Sequence, residues 1–426
     1  MAKEIFLKKR LKNGTRVLLI KKEKVKNFCL LILTKVGSEY EPKNLNGISH
    51  FIEHMSFKGT PKRPKTFEIA KILDEIGAKY NAFTSNEYTG YWIKATSTHL
   101  ETSIDLLSDL YLNPLFPEKE IEKEKKVVLE EIRMYEDDPK EYIWEVFLKT
   151  LYGDQPAGRS ILGEKKVIEK LKREDLLNFH QKFYVGKNTL VVLAGDFDEK
   201  KALKLLTSRF KILSSKKPPS KKPPRVKRKP KFTHFSKNTS QAHLILGFPT
   251  FSLFDKRKYP LLILSSILGE GLSSRLWQIL REKYSLCYYF SCSPDLYTDH
   301  GYFAIQAGIN LEKVDFGVKL ILKELSKIKK EGVLEEELKR AQEKIKSSLI
   351  FSLETTQGMA SFFGGRLLLE NRLPKLSEIL KNLEKVSSKK IKTLSQQIFR
   401  PENFTFSIIA PKKIKISFND YLEILK

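Results

Sequence analysis

Cysteine is scarce: Cys29, Cys287 and Cys292 are the three in a chain of 426 residues. An odd number, with two close together in one segment, builds neither a disulfide framework nor a cysteine-ligated metal site, which needs paired spacings. Buried, reduced thiols are the expectation. Long apolar runs are lacking too. "FCLLIL", from Phe28 to Leu33, is among the longest, far short of the roughly 20 residues that span a bilayer. No membrane partner is expected. The first residues, "MAKEIFLKKRLKNG", hold no apolar signal core, so the expected location is cytoplasmic. Acidic charge is in deficit: 51 Asp and Glu face 78 Lys and Arg, a formal charge of +27. Such an excess raises nucleic acid or an anionic surface as partners. Much of it is local, however. "KKPPSKKPPRVKRKP", Lys216 to Pro230, carries no acid at all. Elsewhere Lys and Glu alternate along what read as solvated helix faces, a pattern common in heat-adapted proteins. No aromatic-rich basic motif accompanies the charge, so nucleic acid is not expected.

What is present is the composition of a folded protein, 41% hydrophobic and 11% aromatic, in a chain too long for one ordinary core. The Pro/Lys stretch suits neither helix nor central strand and reads as a semi-rigid hinge linker. The expected division is residues 1–213, a linker over 214–231, and residues 232–426. The two halves look alike. "AKYNAFTSNEYTGYWIKAT" and "SLCYYFSCSPDLYTDHGYFAIQAG" are both two strand-like runs around a turn, each followed by a long Glu/Lys-rich helical stretch. Each half also has an early strand, "FCLLILTKVG" or "SQAHLILGFP", and a late one, "TLVVLAGDF" or "FTFSIIAP". The pattern predicts an α+β fold of two similar domains, each a mostly antiparallel sheet packed with helices.

The stretch "GISHFIEHMSFKGT" (Gly47 to Thr60) carries the chemistry. At about 100° per residue, Ile48, Phe51, Ile52 and Met55 share one face of a helix, and His50, Glu53 and His54 gather nearly opposite. An exposed helix face that happens to carry two histidines and a glutamate has the same geometry. The chemistry favours a metal. Imidazoles four apart stand one turn apart on one face and reach a single Zn²⁺. A glutamate at the edge of that stripe reaches the activated water and takes its proton. The order H-x-x-E-H is the inverted form of the zinc-protease motif.

A catalytic zinc needs a third protein ligand and an open position. The acidic helix expected over Glu118 to Tyr135 has an apolar stripe of Ile121, Val128, Ile132 and Tyr135, with Glu124 and Glu131 at its border and Glu130 facing solvent. Carboxylates at the edge of a buried face need partners. Glu131 is assigned as the third ligand, and Glu124 as the group that orients a histidine from behind. A helix tilted enough to hydrate both acids is the competing reading.

"HFIEH", followed downstream by "EKEKKVVLEEIRMYEDDP", resembles the insulinase/pitrilysin zinc metallopeptidases, most of all the processing-peptidase-like branch. The resemblance covers essentially the whole chain. It implies one zinc per chain, held by His50, His54 and Glu131, with Glu53 as general base and Glu124 in support. It implies that Asn81, Ala82, Phe83 and Thr84, in "NAFTSNEYTGYW", form an edge strand that pairs with extended substrate. It implies that Arg281 and Tyr288, seven apart in "LREKYSLCY", complete the site from the half without zinc. Ser285 and Cys287 stand where Gly and Ala are usual in that segment, a departure in the turn before Tyr288. The second half has no HxxEH of its own. The implied activity is zinc-dependent endopeptidase action on unfolded or short peptides inside a clamshell chamber. The implied assembly is a homodimer, or a heterodimer with a related subunit. The alternative is a catalytically silent structural subunit of the same fold.

Overall fold

The computed structural model describes residues 5–426. In chain order the first half forms β1 (Ile5–Arg10), β2 (Arg16–Lys21), β3 (Asn27–Thr34), α1 (Ile48–Met55), α2 (Thr66–Glu75), β4 (Lys79–Thr84), β5 (Thr89–Thr96), α3 (Leu100–Leu112), α4 (Glu118–Asp137), α5 (Pro139–Tyr152), α6 (Lys165–Ile168), α7 (Arg173–Phe183), β6 (Thr189–Gly195) and α8 (Glu199–Phe210). The second half forms β7 (Lys231–Ser236), β8 (Ala242–Pro249), α9 (Lys258–Gly269), a π-helical segment over Trp277–Lys283, β9 (Cys287–Leu296), β10 (Gly301–Ile309), α10 (Val314–Glu331), α11 (Glu335–Ser352), α12 (Thr356–Leu369), α13 (Leu376–Glu384), α14 (Ser388–Ile398), β11 (Thr405–Ala410) and α15 (Phe418–Leu425).

The sheets repeat one topology. The first runs β1-β2-β6-β3-β5-β4 and the second β7-β11-β8-β10-β9. In each, one parallel pair (β2 with β6, β7 with β11) sits beside an otherwise antiparallel ladder. Matching the two lists makes β7 the counterpart of β2 and β9 the counterpart of β4. The expected α+β fold with two similar, mostly antiparallel sheets is what forms. Strands with near-continuous apolar runs, β3, β6 and β8, take the central places because they are buried on both faces.

The chain gathers into two compact units that are not continuous in sequence. One takes the residues through Arg133, Arg159–Lys222 and Ile350–Leu373; the other takes Met134–Gly158, Pro223–Leu349 and Pro374–Lys426. Each sheet therefore gains one helix from the opposite half of the chain. In the first unit, Leu30 and Ile32 of β3 face a core with Phe51, Ile52, Ile104, Leu107, Phe179 and Leu206 from α1, α3, α7 and α8. Leu31 and Leu33 point the other way, as alternation along a strand requires. There α12 covers them: a Cβ at Gly364 would meet Val192 at 3.0 Å and Leu33 at 3.2 Å. In the second unit α5 brings Ile143, Phe147 and Leu151 onto Ile245, Tyr302 and Ile409. Gly247 in β8 admits the Phe147 ring, which lies 2.2 Å from where a Cβ would stand.

Residues 214–230 form neither helix nor strand. They are not simply a solvated spacer, because Lys221 is buried against Glu39 and Glu87 of the first unit. Cys29 and Cys287 are buried, Cys292 is half-buried, and all three are free. Among the described residues no helix is long and apolar enough to cross a membrane.

Candidate metal centre

The histidine helix α1 is anchored from below and from behind. Ile48, Phe51, Ile52 and Met55 are fully buried, each worth about 1.5–3 kcal/mol. Its N-terminus follows Gly47, whose φ of +94° and whose contacts with Leu162 and Gly163, 2.7 Å from a would-be Cβ, admit only glycine. The free N–H groups of the first turn are met by Glu41. Its Oε2 accepts from Gly47 N at 2.6 Å and Asn46 Nδ2 at 3.0 Å, and its Oε1 accepts from Ser49 N at 2.8 Å. Complete burial nonetheless pushes the Glu41 carboxyl up to about 7, against the lowering effect of these donors.

The polar face of α1 is not the wet side of a surface helix. His50 is only 7% exposed, and Glu53 and His54 are half-buried, because α4 lies across them. On α4, Ile121, Glu124, Val128 and Ile132 are buried and Glu130 is exposed, paired with Arg133 at 2.8 Å. The apolar stripe ends at Ile132. Tyr135, expected in the stripe, is 39% exposed instead, since the last turn of α4 runs past the core.

Three donor atoms converge. His50 Nε2 and His54 Nε2 are 3.2 Å apart, and Glu131 Oε2 is 3.7 Å from each. Tetrahedral zinc bonds of about 2.0–2.2 Å place ligand atoms about 3.4 Å apart, so this triangle has the size of a zinc site with one corner left over. The donor set agrees. His54 Nδ1 is held at 2.8 Å by Glu124 Oε1, which commits that nitrogen's proton and turns the Nε2 lone pair toward the triangle. Burial, then His54, lowers His50 to about 3, so it is neutral and able to ligate. Its Nδ1 is buried without a partner; only one of the two rings is held from behind. Burial raises Glu131, a cost that a cation would offset. For His54, burial works to lower the ring, but Glu124 and the nearby carboxylates outweigh it and raise it. For Glu124, burial works upward and the bonds from His54 and Lys58 win, holding it ionised.

Beside the triangle, burial raises Glu53. Its Oε2 accepts a 2.6 Å hydrogen bond from Thr84 Oγ1. Thr84 ends β4, which pairs with β5 and occupies the edge of its sheet. Asn81 is exposed, Ala82 buried, Phe83 and Thr84 half-buried. The turn sets which backbone groups face outward. Ser85 N donates to Tyr88 O at 2.9 Å, and in an antiparallel ladder such bonded pairs alternate with pairs whose N–H and C=O point away. Thr84, opposite Thr89, and Ala82, opposite Tyr91, thus aim their backbone groups at the open edge. Consistently, the Ala82 N–H is met at 2.9 Å by its neighbour's side chain, Asn81 Oδ1.

The structure thus brings His50, His54, Glu131, Glu124, Glu53 and Thr84 together in the first unit. Arg281 and Tyr288 belong to the second unit and are brought to each other: Arg281 Nη1 donates to Tyr288 O at 3.0 Å, the guanidinium lies 4.8 Å from the Trp277 ring, and the Tyr288 side chain is 78% exposed. Two contributors escape sequence reasoning. Lys58 Nζ stands 2.6 Å from Glu124 Oε2; its one signal is a cation four residues beyond His54. Glu41 has no periodic signal at all.

Two family models match the chain: "Insulinase (Peptidase family M16)" over residues 16–165 and "Peptidase M16 inactive domain" over residues 170–345. An uncharacterized zinc protease of Rickettsia felis is 34% identical over 419 residues, 97% of this chain and 99% of the relative. The uncharacterized zinc protease YmxG of Bacillus subtilis is 33% identical over 405 residues, 94% and 97% of the two chains. The crystal structure of a protease from Helicobacter pylori superposes with a TM-score of 0.90 at 27% identity, covering 96% of this chain and all of that one. Fold and relatives together define a zinc-protease-like protein built as two similar α+β halves. The chain belongs to the insulinase family, peptidase family M16.

Proposed function

We propose that this protein is a zinc-dependent endopeptidase that cleaves unfolded or short peptides bound as an added strand on β4. The observation that carries the reading is the triangle of His50 Nε2, His54 Nε2 and Glu131 Oε2, with sides of 3.2, 3.7 and 3.7 Å. His50, His54 and Glu131 would hold one zinc per chain. Zinc, when bound, polarises a carbonyl and makes water nucleophilic at neutral pH. Glu53, raised by burial and held by Thr84, takes the proton of the attacking water and returns it to the leaving amine. The outward backbone groups of Ala82 and Thr84 accept an extended peptide with little demand on its sequence. Arg281 and Tyr288 take the role that the family resemblance gives them, donors to the oxyanion. A homodimer and a chamber closed to folded proteins belong to the same reading.

The test is metal analysis of the purified protein together with peptide digestion, with and without a chelator, followed by mass spectrometry. About one zinc per chain and chelator-sensitive internal cleavage are expected. Glu53→Gln keeps the zinc and loses about a hundredfold to ten-thousandfold in kcat, the scale of a general base acting in the transition state. A metal-free protein that cleaves nothing, or a Glu53→Gln variant as active as wild type, rejects the reading.

A further inference from the structure

Resting on the function proposed above, we propose that Thr84 is a positioning residue that couples the docking of a peptide strand to the aim of Glu53. The residue has two attachments. Its hydroxyl donates to Glu53 Oε2 at 2.6 Å, and its backbone N–H and C=O face the open edge of β4, where a docked peptide would pair. One hydrogen bond thus crosses from the strand that receives the substrate to the helix that carries the base.

A β-branched residue suits a strand, and valine would serve that purpose as well. What valine lacks is the hydroxyl, and the hydroxyl is what Glu53 uses. A β-branched side chain has few χ1 positions for a given backbone. Pairing an added strand at Ala82 and Thr84 fixes that backbone, and with it the direction of the Thr84 hydroxyl and of the carboxylate it holds. An edge strand left unpaired has no such restraint on its outer side. Thr84 therefore acts on the chemical step, through Glu53. Its hydroxyl bonds to Glu53 rather than to a member of the His50, His54 and Glu131 triangle, and the backbone groups that hold the peptide are unchanged by altering its side chain.

Three forms decide the matter: wild type, Thr84→Val and Thr84→Ser. Each is assayed for kcat and KM on a fluorophore–quencher decapeptide that wild type cleaves, and for zinc affinity by chelator competition. Loss of a hydrogen bond to a charged group predicts a kcat about tenfold or more lower for Thr84→Val, with KM and zinc affinity within about twofold of wild type. Thr84→Ser, which keeps the hydroxyl, restores kcat to within about threefold. An unchanged kcat in Thr84→Val, an effect on KM alone, lost zinc, or a serine variant as impaired as the valine one overturns this inference while leaving the proposed function standing. A wild-type protein that binds zinc but cleaves no peptide overturns both.

Discussion

Glu124 uses its two oxygens for two different partners, His54 Nδ1 at 2.8 Å and Lys58 Nζ at 2.6 Å. The imidazole proton and the ammonium together hold a nearly buried carboxylate ionised. Glu124→Gln keeps an acceptor for His54 but removes the charge. Zinc affinity should fall about 10–100-fold, the usual effect of altering the group behind a metal-ligating histidine, as measured by chelator competition at constant pH. An affinity within twofold of wild type would show that Glu124 does not support the ring. Glu41 makes a prediction that the metal does not enter. Its folded pKa of about 7 lies above the ordinary value of 4.5. The stability it contributes is complete below about pH 4.5 and is lost as pH rises through about 7, because the unfolded chain ionises this carboxyl more readily than the folded one does. Glu41→Gln cannot ionise. Its unfolding free energy relative to wild type should shift in its favour between pH 5 and pH 8, by up to about 3 kcal/mol, read from urea unfolding at both values. A difference that is flat across that range would mean that the three donors on Glu41 outweigh its burial.

At the scale of elements, the register of β4 makes a prediction by which neighbouring prolines must behave differently. The Ala82 N–H points to the open edge, whereas Phe83, opposite Gly90, directs its N–H into the ladder with β5. Proline removes the donor in either case. Ala82→Pro should leave the sheet folded and raise KM for peptides, because the lost N–H is one that a docked strand needs. Phe83→Pro should lower stability by about 1–3 kcal/mol through a broken ladder bond that leaves the Gly90 carbonyl without its donor. Thermal unfolding and KM together separate the two, and equal destabilisation by both would refute the assigned register. The same elements show how much was legible in the sequence. The runs "FCLLILTKVG" and "TLVVLAGDF" announce β3 and β6 because strands buried on both faces need no alternation. The turn between β4 and β5 is legible because two apolar runs flank polar turn residues. β1 and β7, "IFLKKR" and "KFTHFS", are hard to read as strands from the sequence, since edge strands carry charge and polar groups that blunt pairing. His50, Glu53 and His54 were legible because a helix fixes what lies one turn away. Lys58 was not, because its partner Glu124 is set by tertiary packing, and Glu41 was not, because it reaches Asn46, Gly47 and Ser49 across an irregular loop that has no period to read. Tyr135 misled for a related reason: periodicity continues to the end of α4 although the core beneath it does not.

On the scale of the whole molecule, α5 and α12 matter most. Their apolar content, with Ile143, Phe147 and Leu151 in α5 and Met359, Phe363, Leu367 and Leu368 in α12, indicates that each is to be buried, but not against which sheet. The fold answers that each covers the sheet of the opposite half: Phe147 lies against Gly247 in one unit, and Gly364 against Val192 and Leu33 in the other. Strands β3 and β6 carry fully buried apolar residues on both faces, so the first sheet without α12 would expose Leu31, Leu33 and Val192 to water. A fragment ending at residue 213, although it contains every residue of the candidate metal centre, should therefore be insoluble or lack a cooperative unfolding transition when made alone. Made together with residues 214–426, it should be recovered in a complex that unfolds cooperatively, because the second fragment returns α12 to the first sheet and the first returns α5 to the second. Size-exclusion chromatography and calorimetry of the separate and co-expressed fragments measure this directly. A solitary 1–213 fragment that is monomeric and melts in one sharp transition would show that the borrowed helix is dispensable. The two-half sequence would then also be two independently folding domains, and zinc binding could be studied on the first half by itself.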